Sequence, residues 1–570
     1  MVTGDLTAEV LRHALVVAAE EASIVVVRSA YSTFIVEGSD ASAAILDVRG
    51  RLIAQSMATT LMNSMALTVA LPALLADVPA VNMRPGEVYV LNDAYRGGVH
   101  TNDLLVYRPV FVGPHVAYLT ATMIHVADLG GLSAGGMAPL ATDIFLEGLQ
   151  LPPVRLATAA GLEPAIEAIL RANSRTPDKV MGDVRALVAG TAVAAARLEA
   201  LIAEHGPDGL ARGIDAYLDY TEARTRAALA ELPAGRFTAD YPIDDDGIDL
   251  GRSHTVRVAI TTSPGPASGP SASSQAGVTL DFAGTDPQVP AAINASASQS
   301  LAAAVFAVRC FLGDPAIPMN DGCLRAIDVR LQPGSLLDAT PPHPCGGRFV
   351  PIYAAMEAVF QALSDAVPER AIAASGILQP FSVAAVGAPY WIHLAYDFGG
   401  VGAREGLDGP DATGIHFGVG RNSIPQVEPV ETRCPLIIES IETIPDSGGP
   451  GRYRGGLGTR TVYRFLADAH VTTRGDRLRI APPGRSGGGA GRVGGFFRRH
   501  LDGTVERLPS KINNALFRTG EAFIVATTGG GGIGRPSERS RESVEADLKS
   551  GAITASGARE DYGHAPSERG

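Results

Sequence analysis

Apolar residues in the first 235 positions recur at two different periods. Over residues 5–30, Leu6, Val10, Leu11, Ala14, Leu15 and Ala18 fall at helical spacing, with Thr7 as a capping candidate ahead of Glu9. ASAAILDV and RLIAQ then read as two strands paired around an Arg49-Gly50 turn. A second helix is predicted over 61–77, and NMRPGEVYVLND feeds a strand into a polar stretch that begins near Val90. Val116 to Ile124 is a continuous apolar run, which predicts a buried strand with His125 at its carboxyl end. Helices are predicted over 162–174, 178–204 and 208–231. The second of these is Ala-rich with a near-continuous apolar face.

After Arg236 the pattern shortens to strands. TVRVAITTS and GVTLDFAGT flank a Pro/Ser/Gly-rich insertion near 263–277, expected as a disordered hairpin. Helices are predicted over 297–311 and 351–366. The last third is dominated by glycine: FGGVGAREGLDGPDA, PDSGGPGRYRGGLG, APPGRSGGGAGRVGG and ATTGGGGIGRPSERS, before a final helix in RESVEADLKSG. No internal repeat is visible.

Composition narrows the class. At 570 residues the chain exceeds one ordinary core, so two to four domains are expected. A net charge of −13, from 47 basic and 60 acidic residues without a clustered Lys/Arg run, argues against a nucleic-acid surface. The 65 glycines exceed the usual share of about 7%, which favours a loop-rich enzyme over a helical bundle. Cys310, Cys323, Cys345 and Cys434 form no CxxC or zinc-ribbon spacing and are expected as free thiols. The N-terminal residues lack a basic segment followed by an apolar one, and no uninterrupted apolar run reaches about 18 residues. A cytoplasmic location away from membranes is expected.

Candidate chemistry concentrates between Val90 and Pro153. His100 and Asp103 are three apart, so a tight turn can aim both side chains at one point, and His125 arrives from the apolar strand. Two His and one carboxylate, with positions left for water, suit a catalytic divalent metal such as Mn, Fe or Zn. The bland alternative is a hydrogen-bonded structural histidine. Asp128, three residues after His125, is a candidate to ligate, to orient a ligand or to cap a turn. In PDSGGPGRYRGGLG, Arg452 and Arg454 are candidates to hold phosphate, with a structural loop as the alternative. This is no Walker motif, because no GK[ST] follows. H-E-x-x-H is also absent.

NDAYRGGVHTND, HVADLGG and EGLQLPP resemble the signature of the hydantoinase B/5-oxoprolinase family, which includes acetone carboxylase alpha and ATP-dependent lactamase beta subunits. PDSGGPGRYRGGLG, Asn173, Arg175, Gly182 and Asp183 also fit its pattern, and the resemblance runs from about residue 5 to 563. It implies a divalent metal on His100, Asp103 and His125, with Asp40 as a fourth ligand or as the base that takes a proton from water. Ala94 departs from the family's usual Pro and Ala43 from a common Cys, neither at a ligand position.

The resemblance further implies a hydantoinase A-type partner that uses ATP to phosphorylate the substrate, in a hetero-oligomer of two of each subunit. Metal-bound water would then attack the activated carbon of a cyclic amide such as hydantoin, 5-oxoproline or a lactam. The alternatives are the metal subunit of an ATP-dependent ketone carboxylase, which stabilises an enolate, and a non-catalytic scaffold. The expected architecture is multidomain α+β. A metal-site domain (1–160) and a helical segment (161–235) precede a β-rich domain (236–345), a mixed Gly-rich domain (346–563) and a disordered tail (564–570).

Overall fold

A computed structural model describes residues 6–57, 61–263, 276–414 and 424–564. The insertion expected near 263–277 and the tail expected at 564–570 lie almost wholly outside the described residues. The chain divides into two compact units. The first holds the residues up to Arg236 together with Ala259–Arg348, and the second holds Phe237–Val258 and most of the chain from Phe349 on. The segments 1–160 and 161–235 thus share one unit, while 236–345 is divided between both.

The first unit is built on an antiparallel sheet of seven strands: β1 (Ala41–Asp47), β2 (Leu52–Gln55), β3 (Val88–Leu91), β4 (Asp103–Val112), β5 (His115–His125), β6 (Val154–Thr158) and β7 (Gly161–Leu162), in the order β2-β1-β5-β4-β3-β6-β7. Helices α1 (Leu6–Ser29), α2 (Thr33–Gly38), α3 (Leu61–Asp77), α4 (Pro164–Ala172), α5 (Pro177–His205) and α6 (Pro207–Leu229) complete its N-terminal part. The sheet is buried on both faces, which is why its strands read as continuous apolar runs. Leu104, Val106 and Ile124 pack with Val26 of α1 and with Val184 and Leu187 of α5. On the opposite face Leu105, Tyr107 and Met123 pack with Leu67, Leu71 and Leu74 of α3.

Helix α5 is long and apolar enough to cross a membrane by length and composition. Its apolar character has another cause, because it packs against both α1 and the sheet. Thr120 Oγ1 donates to Thr191 O at 2.8 Å and Thr122 Oγ1 to Leu187 O at 3.0 Å. A Cβ on Gly190 would meet Val26 Cγ2 at 2.5 Å, so only glycine permits this helix spacing. At the start of α5, buried Asp183 accepts from Tyr31 N at 2.8 Å and Ser32 N at 3.0 Å and so fixes the α1–α2 junction. Helix α7 (Ala297–Leu312) packs on α3, so it lies on that side of the sheet.

The second unit contains two antiparallel sheets. One runs in the order Ile392–Phe398, Leu378–Ala385, Ala469–Arg474, Lys511–Phe517, and the other Leu436–Thr443, Thr459–Phe465, Ala522–Ala526, Gly495–Arg499, Val505–Leu508. Phe381, Tyr463, Phe465, Phe496, Phe517 and Phe523 form its aromatic core. The glycine-rich segments of this unit run side by side, joined backbone to backbone. Gly449 N donates to Gly530 O at 2.7 Å, Gly530 N to Gly456 O at 2.9 Å, Gly456 N to Val401 O at 2.8 Å and Gly532 N to Gly489 O at 2.9 Å. Glycine here serves the close approach of one chain segment to another.

Candidate metal centre

Asp103 opens β4 and His125 closes β5, and the two are paired directly across the ladder. Directly opposed residues of an antiparallel pair share a face, so both side chains project from the α3 face, with Leu105 and Met123. His100 reaches the same point through a turn in which Asp103 N donates to His100 O at 3.0 Å. That turn is held from outside. Asn92 Nδ2 donates to Thr101 O and Leu149 O, and Asn92 Oδ1 accepts from Leu151 N. Ahead of it, Gly97 has φ 99°, and a Cβ there would meet the α3 backbone at Ala70 at 2.5 Å. Glycine at 97 lets the loop press onto α3 and carry His100 into the site.

The three side chains are buried, and one donor atom from each lies within 4.8 Å of the others. His100 Nε2 stands 3.1 Å from His125 Nδ1 and 3.2 Å from Asp103 Oδ2, and His125 Nδ1 stands 3.4 Å from Asp103 Oδ1. Donors about 2.0–2.2 Å from one ion stand about 2.8–3.6 Å from each other in tetrahedral or octahedral geometry. These edges fall in that range. His125 Nε2 lies 3.2 Å from Gly135 O. A carbonyl only accepts, so Nε2 carries the proton and Nδ1 offers its lone pair to the cluster. The donor set and its spacing therefore fit a divalent ion.

Electrostatics favour the ionised carboxylate. Burial opposes the charge on Asp103, but His100 and His125 when protonated, together with Arg348, outweigh it and hold the carboxyl well below the usual range. Arg348 Nη2 donates to Asp103 Oδ2 at 3.0 Å. Glu147, in the EGLQLPP stretch, positions that arginine: its carboxylate accepts from the backbone N of Cys345 at 3.1 Å and of Gly346, and its carbonyl accepts from Thr101 Oγ1 at 2.9 Å. Sequence reading finds neither role, because Arg348 is 245 residues from Asp103 in the chain.

The remaining candidates fall into different places. Asp40 directly precedes β1, and Ala41 pairs with Ile124, so Asp40 lies at the next ladder position beside His125. It alternates in phase with Ala44 and Leu46, which face α3, and its Oδ1 accepts from Asn63 Nδ2 of α3 at 3.2 Å. Asp40 thus shares the face of the cluster but stands outside the close group of three.

Asp128, a candidate to act in catalysis, to ligate, to orient a ligand or to cap a turn, is fully buried with both oxygens occupied. It accepts from Gly135 N at 3.1 Å, Arg175 N at 2.7 Å and Arg175 Nη1 at 2.9 Å. It acts on the cluster through Gly135, whose carbonyl orients His125. Asp128→Asn is expected to lower metal affinity about 10–100-fold while leaving the three donors in place, as read by metal titration of the purified variant.

Arg452 and Arg454, candidates to hold phosphate or to belong to a structural loop, lie in the second unit. Arg454 is buried, donates to Asp411 Oδ1 at 3.2 Å and to Gly455 O at 2.7 Å, and lies 3.6 Å from Asp547 Oδ1. Its fork is committed to neighbouring carboxylates. Arg452 is exposed beside the Tyr453 ring.

Comparison with known proteins agrees with the motifs. The family model Hydantoinase B/oxoprolinase matches residues 5–536. The chain is 28% identical over 571 residues to the B subunit of a putative D-/L-hydantoinase of Pseudomonas sp. (strain NS671), covering 98% of this chain and 94% of the relative. It is 28% identical over 576 residues to the beta subunit of the caprolactamase of Pseudomonas jessenii, covering 98% and 95%. Among solved structures, the ATP-dependent caprolactamase of Pseudomonas jessenii superposes with a TM-score of 0.89 at 26% identity, over 100% of this chain and 98% of that one. A nucleotide-free acetone carboxylase shares the fold, with a TM-score of 0.86 at 17% identity over 98% and 80% of the two chains.

Proposed function

This chain belongs to the hydantoinase B/oxoprolinase family, and from that premise we propose that it is the metal-dependent subunit of an ATP-dependent cyclic amide hydrolase. The observation that carries the reading is the convergence of His100 Nε2, Asp103 and His125 Nδ1 at the end of one β-ladder. A divalent ion held by this set supplies Lewis acidity, polarising a substrate oxygen and making water a better nucleophile. Mn, Fe and Zn all suit two imidazoles and a carboxylate.

This chain's own residues set up the rest. Gly135 O fixes the His125 tautomer, and Asp128 holds Gly135 in place. Arg348 keeps Asp103 ionised and oriented. Asp40 lies on the same face, which supports its reading as a fourth ligand or as the base that accepts a proton from water. A resonance-stabilised ring amide is a poor electrophile, and phosphorylation of its oxygen by an ATP-binding partner overcomes that. The relatives named as the B chain of a hydantoinase and the beta chain of a caprolactamase support the existence of such a partner.

Combined with that partner, the protein is expected to open at least one ring among hydantoin, 5-oxoproline and caprolactam, with ADP formed in step and no turnover without ATP. ATP consumption with a ketone and bicarbonate, and with no cyclic amide, would overturn the hydrolase reading in favour of the carboxylase. No ATP use with either would leave a scaffold.

A further inference from the structure

The N-terminus of α7 lies against the turn that carries His100. Ser298 Oγ, in its first turn, donates to Gly98 O at 2.9 Å, two residues before His100. The segment leading into the helix is tied to the Arg348 loop: Gly347 N donates to Ala292 O, and Asn294 Nδ2 donates to Pro344 O at 2.9 Å. The start of α7, the His100 turn and Arg348 therefore form one assembly on the α3 side of the sheet.

Unsatisfied polar groups collect in this assembly. Gln299 is 0% exposed, yet among the described residues neither its Nε2 nor its Oε1 has a hydrogen-bond partner. Ser300 Oγ and Arg348 Nε are likewise buried without a partner. The N–H groups of Ala297 and Ser298 have no acceptor among the described residues, and Ser296, the N-cap, makes no side-chain cap. Helical side chains lean toward the N-terminus, so the Gln299 amide projects to the end of α7 where the open N–H groups lie. Buried polar atoms left unpaired are costly, so such groups in a native protein call for a partner such as water, an ion or a ligand.

The chemistry of the ligand follows from the balance of these groups. Donors predominate: two backbone N–H groups, the Gln299 amide nitrogen and a guanidinium Nε, against one amide oxygen, with the Ser300 hydroxyl able to act either way. The helix dipole adds partial positive charge at the same end. A neutral ring amide would leave most of these donors unused, whereas an oxyanion uses several together. We propose that the first turn of α7, with Gln299 and Arg348, binds a phosphoryl group beside the metal centre. The proposal rests on the hydrolase reading for the source of that group, namely the phosphoryl that ATP places on the substrate oxygen. Free inorganic phosphate offers the same oxygens.

Two substitutions test it without touching the metal donors. Ala297→Pro deletes one N–H at the helix position where proline is favoured, and Ser296, with ψ 151°, already has the extended backbone a following proline requires. Gln299→Leu removes the amide at similar volume. Calorimetric titration of the metal-loaded full chain with inorganic phosphate is expected to show binding that weakens about tenfold in each variant, with metal content and thermal midpoint retained. Binding unchanged in both variants, or absent from the wild type at millimolar phosphate, overturns the site. If only one variant folds, that one decides.

In the complex with the ATP-binding partner, the variants are also expected to raise the ATP consumed per ring opened, as the activated substrate is held less well. That result assigns the site to the substrate's phosphoryl. Phosphate binding lost in the variants of a complex that opens no cyclic amide would support the site and overturn the hydrolase reading. Ring opening with unaltered phosphate binding and coupling would do the reverse.

Discussion

Replacing Asp103 by Asn is expected to lower turnover in the presence of the partner about a thousandfold or more, and to remove most of the bound metal. Asp103 is the one anion in the group of three, and both of its oxygens are engaged. Oδ2 faces His100 Nε2 at 3.2 Å and Arg348 Nη2 at 3.0 Å, and Oδ1 faces His125 Nδ1 at 3.4 Å. An amide at this position loses the charge and presents an N–H₂ group either to a guanidinium or to an imidazole lone pair. It also leaves Arg348 as a buried cation without its anion, which costs about 3–5 kcal/mol when one member of such a pair is removed. The variant is therefore expected to be less stable as well as inactive. Equilibrium unfolding and turnover read the two effects separately. Wild-type turnover in folded D103N would remove Asp103 from the chemistry.

Gly456→Ala is expected to abolish folding of the second unit, or to destabilise it by about 4 kcal/mol or more. The Gly456 N donates to Val401 O, and its carbonyl accepts from Gly530 N. A Cβ on Gly456 would lie 2.0 Å from Pro410 O, and one on the facing Gly400 would lie 1.9 Å from Gly456 O. Both obstacles are backbone, so no side-chain rotation relieves them, and separating the segments would break the hydrogen bonds that join them. A control substitution at Gly503, an exposed turn with nothing within 4 Å of its Cβ position, is expected to cost far less even with φ 85°. Soluble yield and thermal unfolding of the two variants check the contrast.

That prediction depends on what glycine spacing does not reveal. Glycines clustered around Arg452 and Arg454 look alike whether they admit a phosphate or a neighbouring chain segment. The difference lies in contacts such as Gly400 with Gly456, which join positions far apart in sequence. Local periodicity was far more legible. The pattern over 5–30 becomes α1 at Leu6–Ser29, that over 178–204 becomes α5 at Pro177–His205, and the strand ending in His125 stands where the apolar run predicts it. Each of these signals is contained within its own segment.

The same distinction divides the site. His100, Asp103 and His125 come from adjacent strands and the turn before one of them, so short-range spacing brings them together. Arg348 and Glu147 join through loops whose partners no periodicity names. Asp128 shows the limit within a legible stretch: its position after His125 marks it as important, but only its three backbone and guanidinium donors show that it orients the site.

His100, Asp103 and His125 are proposed to hold a catalytic ion. Elemental analysis of the purified protein beside a His100→Ala/His125→Ala double variant, each after reconstitution with Mn, Fe or Zn, tests it most directly. Near-stoichiometric metal in the wild type and none in a folded double variant is the predicted result. Equal metal content in the two, or none in the wild type with any of the three ions, would contradict it.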